Sequence, residues 1–116
     1  MSDLGNNEYK NACDNLLFPM VSEFKPDIII ISCGFDGAIH DQLGWSNLSP
    51  LLYAYMTNQL NQICPKVLVI QEGGYNVDYL GQHASGVARA LIEGPECDLS
   101  KLEPVQADID ANIGSV

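Results

Sequence analysis

The sequence predicts an α/β fold: two parallel strands joined by a helix and flanked by helices, in the order α, β, α, β, α. Three observations predict it. Residues 28–31 and 67–70 are unbroken apolar runs rich in β-branched side chains, which suits strands of a parallel sheet buried on both faces. The stretch between them has helical spacing. Each run is followed, after two residues, by glycine and then by a residue able to do chemistry, Asp36 after the first and Tyr75 after the second.

In chain order, residues 1–7 are polar and read as loop. From residue 8 to 24, Leu16, Leu17, Met20, Val21 and Phe24 recur at three- and four-residue steps and predict one apolar helix face. Pro19 lacks a backbone donor and should kink or divide that helix. The helix should end before Pro26, because a residue preceding proline disfavours helical angles. Residues 27–33 are the first strand, and Gly34 is expected to permit the turn that presents Asp36. Residues 37–48 read as loop. Ser49 is a good N-cap and Pro50 suits the first helical position. That helix should run to about Ile63, with Leu52, Tyr55, Met56, Leu60 and Ile63 inward, and Pro65 stops it. Residues 66–71 are the second strand and 72–76 its loop. A third helix is expected from Val77 or Asp78 to about Ile92. Gly81 and Gly86 should weaken it by roughly 1 kcal/mol each relative to alanine.

Residues 95–116 are acidic, hold two prolines and show no sustained periodicity. They read as a tail of a composition that favours disorder, after a folded portion over residues 1–94. Two strands with open edges this apolar do not make a comfortable free-standing sheet. The pattern alone therefore suggests a piece of a larger sheet, or an obligate partner in one.

The chain has 116 residues and a formal net charge of −10, about half of it after Ile92. That charge argues against unaided binding to nucleic acid or anionic membranes. An acidic surface could favour basic substrates, although solubility explains it as well. No apolar run approaches the length needed to span a bilayer, and no signal peptide is visible at the N-terminus. Cys13, Cys33, Cys64 and Cys97 are irregularly spaced without a Cys-x-x-Cys pair, which supports neither a zinc knuckle nor a redox motif. Reduced thiols in the cytoplasm or nucleus are expected.

Ligands in open α/β sheets bind beyond the carboxyl ends of the strands, so Asp36 and Tyr75 could share a site. A carboxylate is an oxygen ligand for a divalent metal. A tyrosine hydroxyl can donate to an oxyanion. On residue type alone, Asp36 is a turn aspartate bonding its own backbone and Tyr75 an aromatic packed over a loop. Gly73 and Gly74 either make a tight turn or let the loop bring the Tyr75 ring over a substrate. Gly-x-Gly-x-x-Gly follows neither strand, which disfavours a dinucleotide site. Asp36 and His40 are four apart, a metal-pair spacing on a helix, but here they lie in a glycine-flanked loop. Cys33 should be core, Trp45 an exposed loop anchor, and His83 a surface or interface residue of its helix.

Ser-Cys-Gly-Phe-Asp-Gly-Ala-Ile-His-Asp-Gln-Leu-Gly over residues 32–44, followed by Gln-Glu-Gly-Gly-Tyr-Asn over residues 71–76, resembles the C-terminal part of a zinc-dependent histone deacetylase domain. The class II type, with Ser-x-Gly-Phe-Asp-Ala and Glu-Gly-Gly-Tyr-Asn, is the most similar. The likeness covers roughly residues 3–94. It implies a fragment of an arginase/deacetylase-like parallel sheet, with Met1 falling inside the domain. It implies zinc hydrolysis of N6-acetyl-lysine to lysine and acetate, with acetylated histones or other acetyl-lysine proteins as substrates, in the nucleus or cytoplasm. By the same resemblance Asp36 is a zinc ligand, Tyr75 the oxyanion donor, Leu43 a wall of the acetyl-lysine tunnel, and Gly73 and Gly74 the loop that bears Tyr75. His40 and Gln42 depart from the glycine and proline usual in the family, so the pocket rim should differ. The Asp-x-His zinc ligands and the paired histidines of the family belong to segments upstream of these motifs. One carboxylate cannot hold catalytic zinc, which takes three protein ligands, so the chain by itself should be inactive and should need the remainder of the domain or a protein complex. A small-substrate amidohydrolase, such as an acetylpolyamine deacetylase, and a non-catalytic module binding through its open sheet edge are the competing readings.

Overall fold

A computed structural model describes residues 4–102 and 104–111. Helix α1 (Asn6–Ala12) runs through a π-helical segment (Cys13–Leu17) into α2 (Phe18–Phe24); then come β1 (Ile29–Cys33), α3 (Pro50–Ile63), β2 (Val67–Gln71) and α4 (Val77–Glu93). Two 3-10 turns, Gly94–Glu96 and Leu99–Lys101, lead to the short α5 (Gln106–Asp110). Strands β1 and β2 pair in parallel with Ile29 opposite Val67 and Cys33 opposite Gln71. The predicted order of elements is present, and Ser49 caps α3 with Pro50 in its first turn.

The first helix differs from its prediction in an instructive way. Pro19 cannot donate a backbone hydrogen bond, and the wide π turn just ahead of it carries the helix across that gap, with Phe18 N–H reaching back five residues to Cys13 O. A π turn adds one residue to the repeat, so the inward face steps from Cys13 to Phe18 and on to Val21. Leu16, Leu17, Met20 and Phe24, expected inward, are exposed instead, Phe24 by 81 %. The N-terminal stretch also joins the structure earlier than expected. Asn6 is buried in α1; its Nδ2 donates to Ser49 Oγ at 2.8 Å, and its Oδ1 accepts from Ser49 N at 3.1 Å.

The sheet is covered on one face. Ile29, Ile31, Val67 and Val69 are half-buried, and Ile31 and Val69 border the main core with Leu52, Tyr53 and Val87. The other face leaves Ile30 61 % and Leu68 48 % exposed, and Ile70 lies beside them. The expectation of burial on both faces is therefore not met within the described residues. The apolar alternate positions are nevertheless those of a doubly covered sheet.

Helices α3 and α4 pack closely because Gly86 has no side chain. A Cβ there would stand 3.0 Å from the Pro50 carbonyl. Gly86 thus lowers helix propensity while permitting the contact that helps build the core. Gly81 has no such role, since a Cβ there would meet nothing within 4 Å. His83 is buried rather than superficial, 1 % exposed. It shares the inward face of α4 with Leu80 and Val87, and its ring nitrogens lie 3.0 Å from Tyr79 O and 3.3 Å from Leu48 O.

The acidic segment read as a tail is folded as far as it is described. Asp108 is 1 % exposed; its Oδ1 accepts from Leu51 N at 2.9 Å and its Oδ2 from Val105 N at 3.0 Å. One carboxylate thus serves the open amides of two helix N-termini, α3 and α5, where negative charge is favoured. Gln82 Oε1 accepts from Ala107 N at 2.9 Å. Acidity here is a capping device as well as a source of solubility.

Candidate functional site

The site lies where β1 and β2 end side by side. Parallel pairing brings the loop after Cys33 against the loop after Gln71, and backbone bonds continue past the strands: Glu72 N donates to Cys33 O at 3.0 Å and Phe35 N to Gly73 O at 3.2 Å. Phe35 is buried against Tyr53, with ring centroids 5.0 Å apart, and against His83 at 5.9 Å. This anchor leaves the next residue, Asp36, exposed at the strand end.

The glycines around Asp36 serve proximity rather than unusual torsion. A Cβ on Gly34 would lie 2.6 Å from Asp36 Oδ1 and 2.8 Å from Glu72 O. Its φ is not positive, so Gly34 is needed for the space the carboxylate folds back into, and not for the turn first ascribed to it. A Cβ on Gly44 would fall 1.4 Å from the Asp36 carbonyl oxygen. The backbone of Gly44 is therefore packed directly against that of Asp36.

Gly73 and Gly74 are different, at φ 99° and 119°, a region that L side chains rarely adopt. Gly74 also lies so near Phe35 that a Cβ would be 2.8 Å from the Phe35 Cβ. The chain then places Tyr75 49 % exposed. The point that a Cβ on Gly73 would occupy lies 3.5 Å from Tyr75 Oη and 3.8 Å from Asp36 Cγ. Phenol and carboxylate thus flank the same glycine, and the two residues singled out in the sequence are brought together.

Other predicted residues lie further out. Leu43 is exposed, its amide bonded to Asp41 Oδ1 at 2.8 Å. His40, at φ 62°, points away from Asp36. Its Nε2 is 3.6 Å from Asp110 Oδ2 and its ring stacks on Tyr79 with centroids 5.6 Å apart. It takes no part in a metal pair with Asp36. Cys33 is core, its thiol pKa pushed up by burial. All four cysteines are free.

Asp41 was not singled out by sequence reasoning. Its Oδ1 accepts from Leu43 N and Gly44 N, and its Oδ2 accepts from Tyr75 N at 2.7 Å. Burial raises its pKa, but the backbone amides of Tyr75, Leu43, Gly44 and Asn76 outweigh that and hold it below the usual carboxylate value. Only its place four residues from Gly37 in the loop motif could have drawn attention to it. Beneath the loops lies a cavity of about 320 Å³ bordered by Asp36, Gly37, Ile31, Tyr53 and Met56. Tyr53 is buried there, and loss of solvent raises the pKa of its hydroxyl.

Among the described residues no three His, Cys, Asp or Glu side chains are grouped so as to hold an ion. Asp36 offers one carboxylate, whereas a catalytic zinc takes three protein ligands. The described residues do not form a zinc site by themselves. No described helix is long and apolar enough to cross a membrane.

Residues 2–91 match the family model described as "Histone deacetylase domain". The chain is 39 % identical over 104 residues to histone deacetylase HDA1 of Candida albicans, covering 89 % of this chain and 12 % of that protein. It is 40 % identical over 97 residues to histone deacetylase HDA1 of Saccharomyces cerevisiae, covering 83 % of this chain and 14 % of that one. Its fold superposes on the crystal structure of the HDA15 HD domain with a TM-score of 0.78 at 34 % identity, over 96 % of this chain and 31 % of that one. The chain thus spans about an eighth of the curated relatives it matches and about a third of the solved domain.

Proposed function

Because the chain belongs to the histone deacetylase domain family, we propose that it supplies the Asp36 and Tyr75 part of a zinc-dependent lysine deacetylase site. The observation that carries this reading is the convergence of the Asp36 carboxylate and the Tyr75 phenol on Gly73 at the ends of two parallel strands. Asp36 contributes one metal ligand, and the other ligands come from the remainder of the domain. The open sheet face with Ile30 and Leu68 supports such a remainder, because apolar side chains there gain by being covered. Zinc held by Asp36 together with ligands from the remainder of the domain would supply Lewis-acid chemistry for amide hydrolysis. Tyr75 Oη donates to the oxygen of the acetyl group as negative charge gathers on it. The Gly73–Gly74 backbone sets that hydroxyl beside the carboxylate, and Leu43 on the rim meets the aliphatic stem of the acetyl-lysine. Substrates of this reading are acetylated histones or other acetyl-lysine proteins, in the nucleus or cytoplasm. Residues 1–94 are the deacetylase portion, and the described residues after it, 95–102 and 104–111, are an appendage packed on α3 and α4.

The test is made on the whole protein that contains this chain. Zinc content and turnover of an acetyl-lysine peptide are measured for the wild type, Asp36→Asn and Tyr75→Phe. Asp36→Asn should lose both metal and turnover. Tyr75→Phe should retain zinc and lose on the order of a hundred- to a thousandfold in kcat. Full zinc and full turnover in Asp36→Asn would refute the assignment.

A further inference from the structure

We infer that Asp41 is a positioning residue that locks the Tyr75 loop to the Asp36 loop, so that the two functional side chains are set by a third that touches neither the metal nor the substrate. The inference rests on the deacetylase reading of the site and deepens it.

Asp41 is not simply a turn former. An aspartate that bonds the amides two and three residues on stabilises its own turn, and Oδ1 does this with Leu43 N at 2.8 Å and Gly44 N at 2.9 Å. That turn uses one oxygen. The other, Oδ2, accepts from Tyr75 N at 2.7 Å, across 34 residues of sequence. A local turn has no need of that second bond. It also bonds the backbone of the residue whose hydroxyl is proposed to act.

The neighbouring residues repeat the connection. Asn76 Nδ2 donates to His40 O at 2.9 Å, and His40 holds the left-handed φ of 62°, a conformation uncommon outside glycine. That backbone aims the His40 carbonyl at Asn76 while its ring turns outward to Tyr79. Consecutive residues of one loop, His40 and Asp41, therefore grip consecutive residues of the other, Asn76 and Tyr75. On the Asp36 side, the turn that Oδ1 holds includes Gly44, which abuts the Asp36 carbonyl oxygen. One carboxylate thus fixes the backbone behind the metal-ligand candidate and the backbone behind the oxyanion donor.

Asparagine separates the two duties. It is close in shape to aspartate but has a single acceptor oxygen, so Asp41→Asn keeps that oxygen in the turn, where it accepts two amides, and turns its NH2 toward Tyr75 N, where the cross-loop bond is lost. The experiment compares the wild type, Asp41→Asn, Tyr75→Phe and the double variant in the whole protein. Its readouts are kcat and KM on an acetyl-lysine peptide, and hydrogen exchange of the Tyr75, Leu43 and Gly44 amides. Asp41→Asn should lower kcat on the order of tenfold with little change in KM, as expected when one charge-assisted bond that orients a catalytic group is lost. Exchange at Tyr75 should accelerate while Leu43 and Gly44 stay protected. In the Tyr75→Phe background the same substitution should cost less than about threefold, since groups acting as a unit are not additive. A second variant, Asn76→Asp, keeps the cap on α4 and removes the donor to His40 O; it should lower kcat in the same sense. Unchanged kcat and Tyr75 exchange in Asp41→Asn would overturn the inference, as would a loss of equal size with and without the Tyr75 hydroxyl. If the wild type turns over no acetyl-lysine substrate, the deacetylase reading fails, and the exchange at Tyr75 still decides whether Asp41 locks the loops.

Discussion

Replacing Gly44 with alanine should disable the site from a position that carries no functional group. A Cβ built on Gly44 lies 1.4 Å from the Asp36 carbonyl oxygen and 2.6 Å from its carbonyl carbon, and real Cβ atoms essentially never come within 3.0 Å of another group. The two backbones must separate by about an ångström and a half, and neither obstacle is the flexible end of a side chain. Such overpacking typically costs about 1–3 kcal/mol of stability. A misplacement on the order of 1 Å at a catalytic group can cost about a hundredfold in rate, so kcat should fall by roughly that factor. Gly81→Ala is the matched control, because a methyl there meets nothing within 4 Å, and it should stabilise α4 by up to about 1 kcal/mol. Urea unfolding of both variants and turnover of an acetyl-lysine peptide give the comparison. A Gly44→Ala protein as stable and as active as Gly81→Ala would refute the claim that this glycine exists for close backbone approach.

Two further outcomes follow from the carboxylates. Asp41 binds its proton less tightly in the folded chain than an ordinary carboxylate does. Its contribution is therefore complete above the unfolded pKa of about 3.9 and is lost as pH falls through the lower folded value. The urea-midpoint difference between wild type and Asp41→Asn should be constant from pH 7 to about pH 5 and should shrink below about pH 4; a difference that grew in acid would contradict the bonding described. Asp108→Ala removes the acceptor for Leu51 N and Val105 N and should cost about 1–2 kcal/mol, as other lost helix caps do. A loss confined to α5, with the main unfolding transition unmoved, would show that α3 does not depend on it.

Sequence alone determined the features governed by neighbouring residues. Residues 29–33 and 67–71 are strands because each is built on a continuous apolar run, 28–31 and 67–70, and Ser49-Pro50 starts α3 because a hydroxyl and a missing N–H suit that end of a helix. The adjacent glycines before Tyr75 were legible too, since two successive positive φ angles call for that residue type. From parallel strands it followed that Asp36 and Tyr75 emerge at the same end of the sheet.

What sequence could not decide depends on approaches between distant segments, which leave no periodic trace. The inward face of the first helix shifted because a π turn ahead of Pro19 changed the phase of the side chains, so Phe18 is buried and Met20 is not. Gly34, Gly44 and Gly86 look alike as helix or loop glycines, yet each is fixed by a backbone or carboxylate pressed against it. His83 became core because Tyr79 O and Leu48 O lie beside its ring. Asp108 folds the acidic segment because the open amides of α3 stand within its reach. Asp41 reads in the sequence as a turn residue; only the tertiary structure brings the Tyr75 amide, 34 positions away, to its second oxygen.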